Sequence, residues 1–132
     1  MTIFSYGVAA ILKQQFREPE LLNILALRLN LLKKTSGKNH PLGWILHYAV
    51  GMLFILIIEL TRIGFNIDPS IIYYIVSGAI CGLIGIAVWF ITFKLHPNPP
   101  KVWYKGFYIQ LIFAHAIFGV GIWISRSIFP AL

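Results

Sequence analysis

Two histidines lie inside apolar stretches of this sequence. His47 stands in GWILHYAVG and His115 in IFAHAIFGV, and each is followed four residues later by a glycine, Gly51 or Gly119. In an apolar helix an imidazole can form an interhelical hydrogen bond, titrate, or ligate a metal or haem iron. Positions i and i+4 share a helix face, so each glycine leaves room beside the ring for a close helix or a flat ligand. The shared pattern indicates a candidate buried polar or proton site and a weak internal repeat.

The two histidines stand at similar depths in their helices. At about 1.5 Å per residue, His47 lies about 7.5 Å beyond Leu42, and His115 lies about 13.5 Å beyond Gly106. Helix tilts of about 20° and the reach of the rings can close the difference of about 6 Å. We therefore expect a satisfied interhelical hydrogen bond involving Gln110, and non-additive effects of the two alanine substitutions. A proton-sensing pair and a haem b site with two axial histidines are the alternatives.

The composition indicates an integral membrane protein. Hydrophobic residues make up 58% of the 132 residues, charged residues 11%, and the mean hydropathy is +0.79. Soluble domains carry about 25% charged residues. Cys81 is the only cysteine, so an intrachain disulfide is excluded, and its apolar setting indicates packing. A chain this short buries little surface alone, so a homo-oligomer or another membrane partner is expected.

Four apolar stretches define the predicted fold. The ranges 42–61, 71–93 and 107–129 each approach or exceed the roughly 20 residues that a spanning helix needs. The first stretch, 1–13, reaches only about 18 Å against a hydrocarbon core of roughly 30 Å. We expect it to be completed by residues upstream, by a partner, or by a thinned bilayer. The prediction is an all-α, four-helix transmembrane bundle forming one domain over residues 1–132, with a short first span.

The basic residues predict the orientation of these helices. Nine of the eleven lysines and arginines lie in the loops 13–41 and 94–106, whereas Arg62 and Arg126 lie at the opposite helix ends. The positive-inside rule places both basic loops in the cytoplasm. The net charge of +7 is then explained by topology and by attraction to anionic lipid headgroups of the bilayer. No clustered soluble basic module indicates nucleic-acid binding.

The segment EPELLNILALRLNLLKKTSG between the first two spans predicts an amphipathic helix over about 19–34. Pro19 suits its first turn, and Gly37 suits the termination that follows it. Its leucines share one side, while Asn23, Asn30, Lys33 and Lys34 share the other. We expect the helix to lie along the inner membrane surface, with Arg28 either snorkelling to the interface or pairing with a carboxylate.

Other local patterns predict structural roles. Asp68 and Pro69 are expected to cap the third span, and Glu59 is expected to pair with Arg62 three residues on. Small residues at helical spacing, which let helix backbones approach, predict helix packing at Gly78, Gly82 and Gly85. His40 and His96 each precede a proline and are expected in a loop or at a helix start, so no metal site is predicted.

Three phrases carry a resemblance to a known group. MTIFSY at the start, FREPELLN at 16–23 and GWILHYAVG at 43–51 resemble small uncharacterised bacterial inner-membrane proteins of the YagU-like type, over residues 1–54. The resemblance implies a bacterial multi-spanning inner-membrane protein and an association with acid tolerance. It transfers no catalytic residue.

Catalytic motifs give little further support for an enzyme. The sequence contains no H-E-x-x-H, G-x-S-x-G or Walker motif, and no acidic pair within a span. The sequence therefore favours an accessory, acid- or stress-related membrane protein with a buried histidine pair and without a cofactor. Haem b binding and a lipid-modifying intramembrane enzyme with a histidine base stand as alternatives.

Overall fold

A computed structural model describes residues 1–31 and 37–129 of the chain. Within these ranges the regular secondary structure is entirely α-helical, which confirms the predicted class. The described helices are α1 (Thr2–Leu12), α2 (Glu18–Arg28), α3 (Pro41–Gly64), α4 (Ile71–Leu95) and α5 (Tyr104–Ile128).

Three of these helices are long and apolar enough to cross a membrane. They are α3, α4 and α5, with 24, 25 and 25 residues, or about 36 Å at about 1.5 Å per residue. Helix α1 is apolar but has only 11 residues, or about 17 Å. The described residues therefore supply three candidate spans rather than the four of the predicted bundle.

Local capping explains where α3 and α4 begin. Pro41 occupies the first turn of α3, and Nδ1 of His40 accepts a hydrogen bond from the backbone N–H of Leu42 at 3.1 Å. His40 is thus a helix-start residue, as predicted. At α4 the cap is Ser70, whose Oγ accepts from the N–H of Tyr73 at 3.2 Å. The prediction of Asp68 as the cap is wrong, because the helix begins two residues further along the chain.

Helices α4 and α5 pack closely through small residues. A Cβ added to Gly78 would collide with the backbone carbonyl of His115, and one added to Gly119 would collide with that of Tyr74. At Gly82 the added atom would lie 3.0 Å from the Cα of Ile112. The absence of side chains at these positions permits the close approach. Helix α3 contacts α4 much less extensively than α5 does.

Helix α2 crosses the end of the bundle at which α3 begins and α4 ends, called here the basic end. Asn23 is fully buried there: its Oδ1 accepts from the N–H of Gly43 at 2.8 Å. Its Nδ2 donates to the carbonyls of Lys38 and His40 at 2.9 and 2.6 Å. Glu18 and Glu20 are buried as well. The prediction that the polar side of this helix faces water is therefore wrong for Asn23, because α2 buries polar as well as apolar side chains against the protein.

The end of α2 also differs from the prediction. The helix ends at Arg28, and Asn30 has a left-handed backbone with φ of 59°. The predicted continuation is thus wrong for 29–31, and its remainder, with Lys33 and Lys34, lies outside the described residues. The guanidinium of Arg28 donates to the carbonyl of Asn98 at 2.9 Å. Arg28 therefore joins α2 to the loop after α4. Of the two predicted alternatives, snorkelling to the interface and pairing with a carboxylate, the second is not found, because the partner is a backbone carbonyl.

The opposite end of the bundle carries the predicted ion pair. Nε of Arg62 lies 2.8 Å from a carboxylate oxygen of Glu59, which confirms the pair. Arg126 approaches the same oxygen at 3.3 Å. The hydroxyl of Tyr74 donates to the other oxygen at 2.5 Å. This network joins the far ends of α3 and α5 to the start of α4.

Candidate functional site

An apolar cavity of about 270 Å³ lies in the half of the bundle nearer the basic end. Its walls come from α3, α4 and α5, and Glu18 and Leu22 of α2 and Met1 before α1 complete the lining. Leu46 and Val50 on α3 and Val88 on α4 line it, and each is also substantially exposed on the outer surface of the protein. The cavity therefore opens sideways between α3 and α4, towards the surface that lipid would cover.

Three titratable side chains line this otherwise apolar space: Glu18, His47 and His115. The sequence singled out the two histidines but not the carboxyl group. All three side chains are buried, with exposed fractions of 3%, 8% and 6%. The remaining lining is mainly aliphatic and aromatic. Such a site, apolar with a few polar groups, has the general character of a small-molecule pocket.

Glu18 is held by two side chains from distant parts of the chain. Oγ of Ser5, on α1, donates to Oε1 of Glu18 at 2.9 Å. Nε2 of Gln110, on α5, lies 2.5 Å from Oγ of Ser5 and 3.4 Å from the same Glu18 oxygen. In the part of the chain that the structure describes, Oε2 of Glu18 and Oε1 of Gln110 are buried without a hydrogen-bond partner. Because a native fold leaves few such atoms, they mark this cluster as a functional candidate.

Burial dominates the protonation of this carboxyl group. Desolvation raises the pKa of Glu18 above its usual range, and the hydrogen bonds from its own backbone N–H and from Ser5 oppose the rise only in part. The neighbouring Glu20 behaves in the opposite way. Its burial favours a higher pKa, but hydrogen bonds from Arg17 and Gln15 outweigh this and lower the pKa of Glu20. Two carboxyl groups on one turn of α2 thus have different protonation behaviour.

The imidazole of His115 is oriented by its own helix. Nδ1 lies 2.8 Å from the carbonyl oxygen of Leu111, one turn earlier. A carbonyl oxygen can only accept, so Nδ1 carries the proton of the neutral ring and donates it. Nε2 is then the nitrogen with the free lone pair, and it belongs to the ring that lines the cavity. His115 can therefore accept a hydrogen bond or a proton from a bound molecule.

The imidazole of His47 has a different partner. Its Nε2 lies 3.3 Å from the hydroxyl oxygen of Thr2, at the start of α1. Among the described residues no hydrogen bond joins His47 to His115, and Gln110 binds Ser5 and Glu18 rather than either histidine. The two histidines therefore share a cavity, but the expected direct hydrogen bond between them is not formed.

The two glycines of the HxxxG pattern have unequal surroundings. A Cβ at Gly51 would meet no atom within 4 Å, and Gly51 lines the cavity. The space at Gly119 is filled by the backbone of Tyr74. Only Gly51 therefore leaves room for a ligand, whereas Gly119 serves helix packing, and the suggested repeat has no counterpart in the packing. Gly85 also lines the cavity. A Cβ added to Gly85 would lie 3.6 Å from Cε1 of His115.

The remaining histidines lie away from the cavity. The Nδ1 of His96 accepts from the backbone N–H of Asn98 at 3.0 Å, and its Nε2 lies 3.2 Å from the carbonyl oxygen of Leu25. Both ring nitrogens are thus used in fixing the loop against α2. Over residues 1–31 and 37–129 no group of three His, Cys, Asp or Glu side chains is placed to hold a metal ion.

Comparison of the chain with protein-family models, with curated proteins and with solved structures finds no match. The YagU-like resemblance of residues 1–54 therefore stays a prediction. The cavity and its three titratable side chains are therefore the candidate functional site.

Proposed function

We propose that this chain is a multi-spanning protein of the bacterial inner membrane that binds a lipid-like molecule in the cavity lined by Glu18, His47 and His115. The single observation that carries the proposal is the cavity itself: it is mainly apolar, opens between α3 and α4, and is lined by a few polar groups. A molecule with an apolar chain and a polar head satisfies both parts of such a lining.

The setting in the membrane supports lateral access. The surfaces of α3 and α4 expose many large aliphatic and aromatic side chains, as a lipid-facing surface would. We place the loops 13–41 and 94–106 in the cytoplasm, so the cavity opens to the inner leaflet. Helix α1 then acts as a short fourth segment of the bundle. Anionic headgroups bind the basic loops. A second copy or another membrane protein packs against the bundle beside the short helix α1.

A binding measurement in lipid nanodiscs tests this function. The full chain is purified into nanodiscs, and lipid retained by the protein is extracted and compared with that of empty discs. A bromine-labelled alkyl chain that enters the cavity should quench the fluorescence of Trp89, which lines it. In a background in which Trp44, Trp103 and Trp123 are replaced by phenylalanine, Leu46→Phe, which fills the opening, should reduce the quenching, whereas Ile45→Phe on the exposed neighbouring face should not. Equal quenching in both variants would contradict lateral binding.

A second candidate function is modification of the bound lipid. It is favoured by the orientation of His115, because a ring anchored through Nδ1 presents Nε2 as a base. Glu18 provides a carboxyl group in the same cavity. Incubation of the purified protein with inner-membrane lipids, followed by mass spectrometry, should then reveal a changed lipid that His115→Gln does not produce.

The haem b alternative requires both histidines to direct a nitrogen at one iron. Nε2 of His115 is suited to this, but Nε2 of His47 lies near Thr2 and would have to release that contact. The open space at Gly51 is compatible with a flat macrocycle, and the filled space at Gly119 is not. A Soret band in the purified protein would support haem. An acid- or stress-related accessory role stays the broader proposal, suggested by the YagU-like resemblance.

A further inference from the structure

We propose that the molecule bound in the cavity carries a cationic amine, and that Glu18 receives its ammonium group. This inference rests on the proposed function and names the chemistry of the ligand head. It starts from the carboxyl group, which is 3% exposed and lines the cavity. Ser5 and Gln110 hold Oε1, whereas Oε2 has no partner among the described residues. Burying an acceptor in this state is costly unless a donor arrives.

The charged groups around the cavity determine which charge the polar head of the bound molecule can carry. Its lining contains no lysine and no arginine, and Glu18 is its one acidic side chain. Met1 also lines the cavity, and its amino group interacts electrostatically with Glu18, but burial lowers the pKa of this amino group and so favours its neutral form. A fatty-acid carboxylate or a lipid phosphate would meet a carboxyl group and no cationic side chain, which is unfavourable in an apolar site. An ammonium group instead meets its opposite charge. The arginine beside Glu18 in sequence, Arg17, directs its guanidinium to Glu20 at 2.9 Å.

The aromatic lining gives an independent argument. Trp89, Phe54 and Phe118 line the same cavity, and the first two are almost fully buried. The faces of aromatic rings attract cations, most strongly when the cation is removed from water. Nε2 of His115 adds a lone pair that can accept an N–H from the amine. A carboxylate, aromatic rings and a neutral imidazole together form a receptor for an alkylammonium group.

Binding of such a cation should release a proton. Burial raises the pKa of Glu18, so the empty site favours the neutral carboxyl group. The groups that face it are the amino group of Met1, Ser5 on α1, His47 on α3, and Gln110 and His115 on α5. An ammonium group favours the carboxylate, so amine affinity should rise as the pH rises through the pKa of Glu18.

Three probes with the same alkyl chain test the inference: dodecylamine, dodecanol and dodecanoate. Their binding is measured with the full chain in nanodiscs of zwitterionic lipid, after subtraction of empty discs. We expect dodecylamine to bind at least about tenfold more tightly than dodecanoate, since its ammonium group can form a charge-assisted hydrogen bond with Glu18 that dodecanoate cannot form. Glu18→Gln should remove this preference. Glu20→Gln is the matched control, because Glu20 lies on the same turn and outside the cavity lining.

The outcomes separate this inference from the proposed function. If dodecanol binds as tightly as dodecylamine, or dodecanoate binds best, the amine is excluded while a lipid-like ligand stands. If none of the three probes binds, the proposed function fails as well. The order of the three probes on the unaltered protein decides the question even if Glu18→Gln does not fold. Preference for the amine that Glu20→Gln keeps and Glu18→Gln loses establishes Glu18 as the receiving group.

Discussion

Gly78 and His115 are in backbone contact: a Cβ on Gly78 would overlap the carbonyl oxygen of His115. The contact fixes α4 against α5 at the level of the cavity. It therefore connects the packing of two long helices with the position of a residue that lines the candidate site. A larger side chain at Gly78 should therefore shift the position of the His115 imidazole on the neighbouring helix.

The substitution Gly78→Ala should destabilise the protein by about 1–3 kcal/mol, because the added methyl group forces two backbones apart. Gly121→Ala is the control, since a Cβ there meets no atom within 4 Å. The thermal midpoint in detergent should fall for the first variant and stay constant or rise slightly for the second. Equal midpoints would mean that α4 and α5 are less closely packed than described.

The substitution Asn23→Ala should detach the start of α3 from α2. It removes an acceptor for the N–H of Gly43 and a donor for two carbonyls, each worth about 0.5–1.5 kcal/mol. Hydrogen exchange at the Gly43 amide should accelerate. Asn39→Ala, at an exposed position in the preceding turn, should leave that exchange rate unchanged. Unchanged exchange in both variants would contradict the role of Asn23.

Glu18 and Glu20 should affect the pH dependence of stability in opposite directions. The pKa of Glu20 is lowered in the fold, so its contribution is present above the unfolded value of about 4.3 and is lost as the pH falls. The pKa of Glu18 is raised, so its contribution is present below about 4.3 and is lost as the pH rises through the folded value. Without ligand, Glu18→Gln should become relatively more stable than the unaltered protein with rising pH. Glu20→Gln should become relatively less stable as the pH rises towards about 4.3 and should change little above it.

Thermal midpoints measured from about pH 2.5 to about pH 8 check this pair of signs, because the Glu20 effect lies below about pH 4.3 and the Glu18 effect above it. The two variants serve as controls for each other, because they change the same chemical group on one helical turn. Parallel curves for both variants would show that the environment of Glu18 does not favour the neutral form.

The histidines should act nearly independently in stability, which revises the expectation from sequence. His47 contacts Thr2 and His115 contacts Leu111, so removal of one ring leaves the hydrogen bond of the other intact. A double-mutant cycle with His47→Ala and His115→Ala should give a coupling below about 0.5 kcal/mol without ligand. A larger coupling would restore the direct contact predicted from the sequence.

The orientation can be tested by cysteine labelling in intact cells on a Cys81→Ser background. The exposed positions Lys101 and Asp68 are suited to substitution by cysteine, one at each end of the long helices. An impermeant thiol reagent should label the cysteine at position 68 and spare the one at position 101. The reverse pattern would invert the topology.

The sequence predicted what depends on local composition. Long apolar runs predict long apolar helices, so α3, α4 and α5 could be located to within a few residues. The ion pair of Glu59 and Arg62 could be predicted because both partners lie on one helical turn. The other partners of Glu59, Arg126 and Tyr74, lie on other helices and required the fold.

The sequence did not predict what depends on distant partners. Glu18 resembles an ordinary acidic residue at a helix start, and its burial follows from Ser5 and Gln110 in other helices. Asn23 lies on the polar side of a helical wheel, yet it is buried by the start of α3. A helical wheel predicts that Asn23 faces water, whereas its side chain is hydrogen-bonded to the backbone of residues 38–43.

The Ser5, Glu18 and Gln110 cluster also constrains the order of biosynthesis. Gln110 lies 105 residues after Ser5 and 92 after Glu18, in the last helix that the structure describes. As the chain leaves the ribosome, the carboxyl group has no amide partner until α5 has been made. Ser5 and Glu18 therefore remain without this partner while the two long helices α3 and α4 are synthesised. Truncation before α5 should leave a nascent protein that membrane quality-control proteases remove.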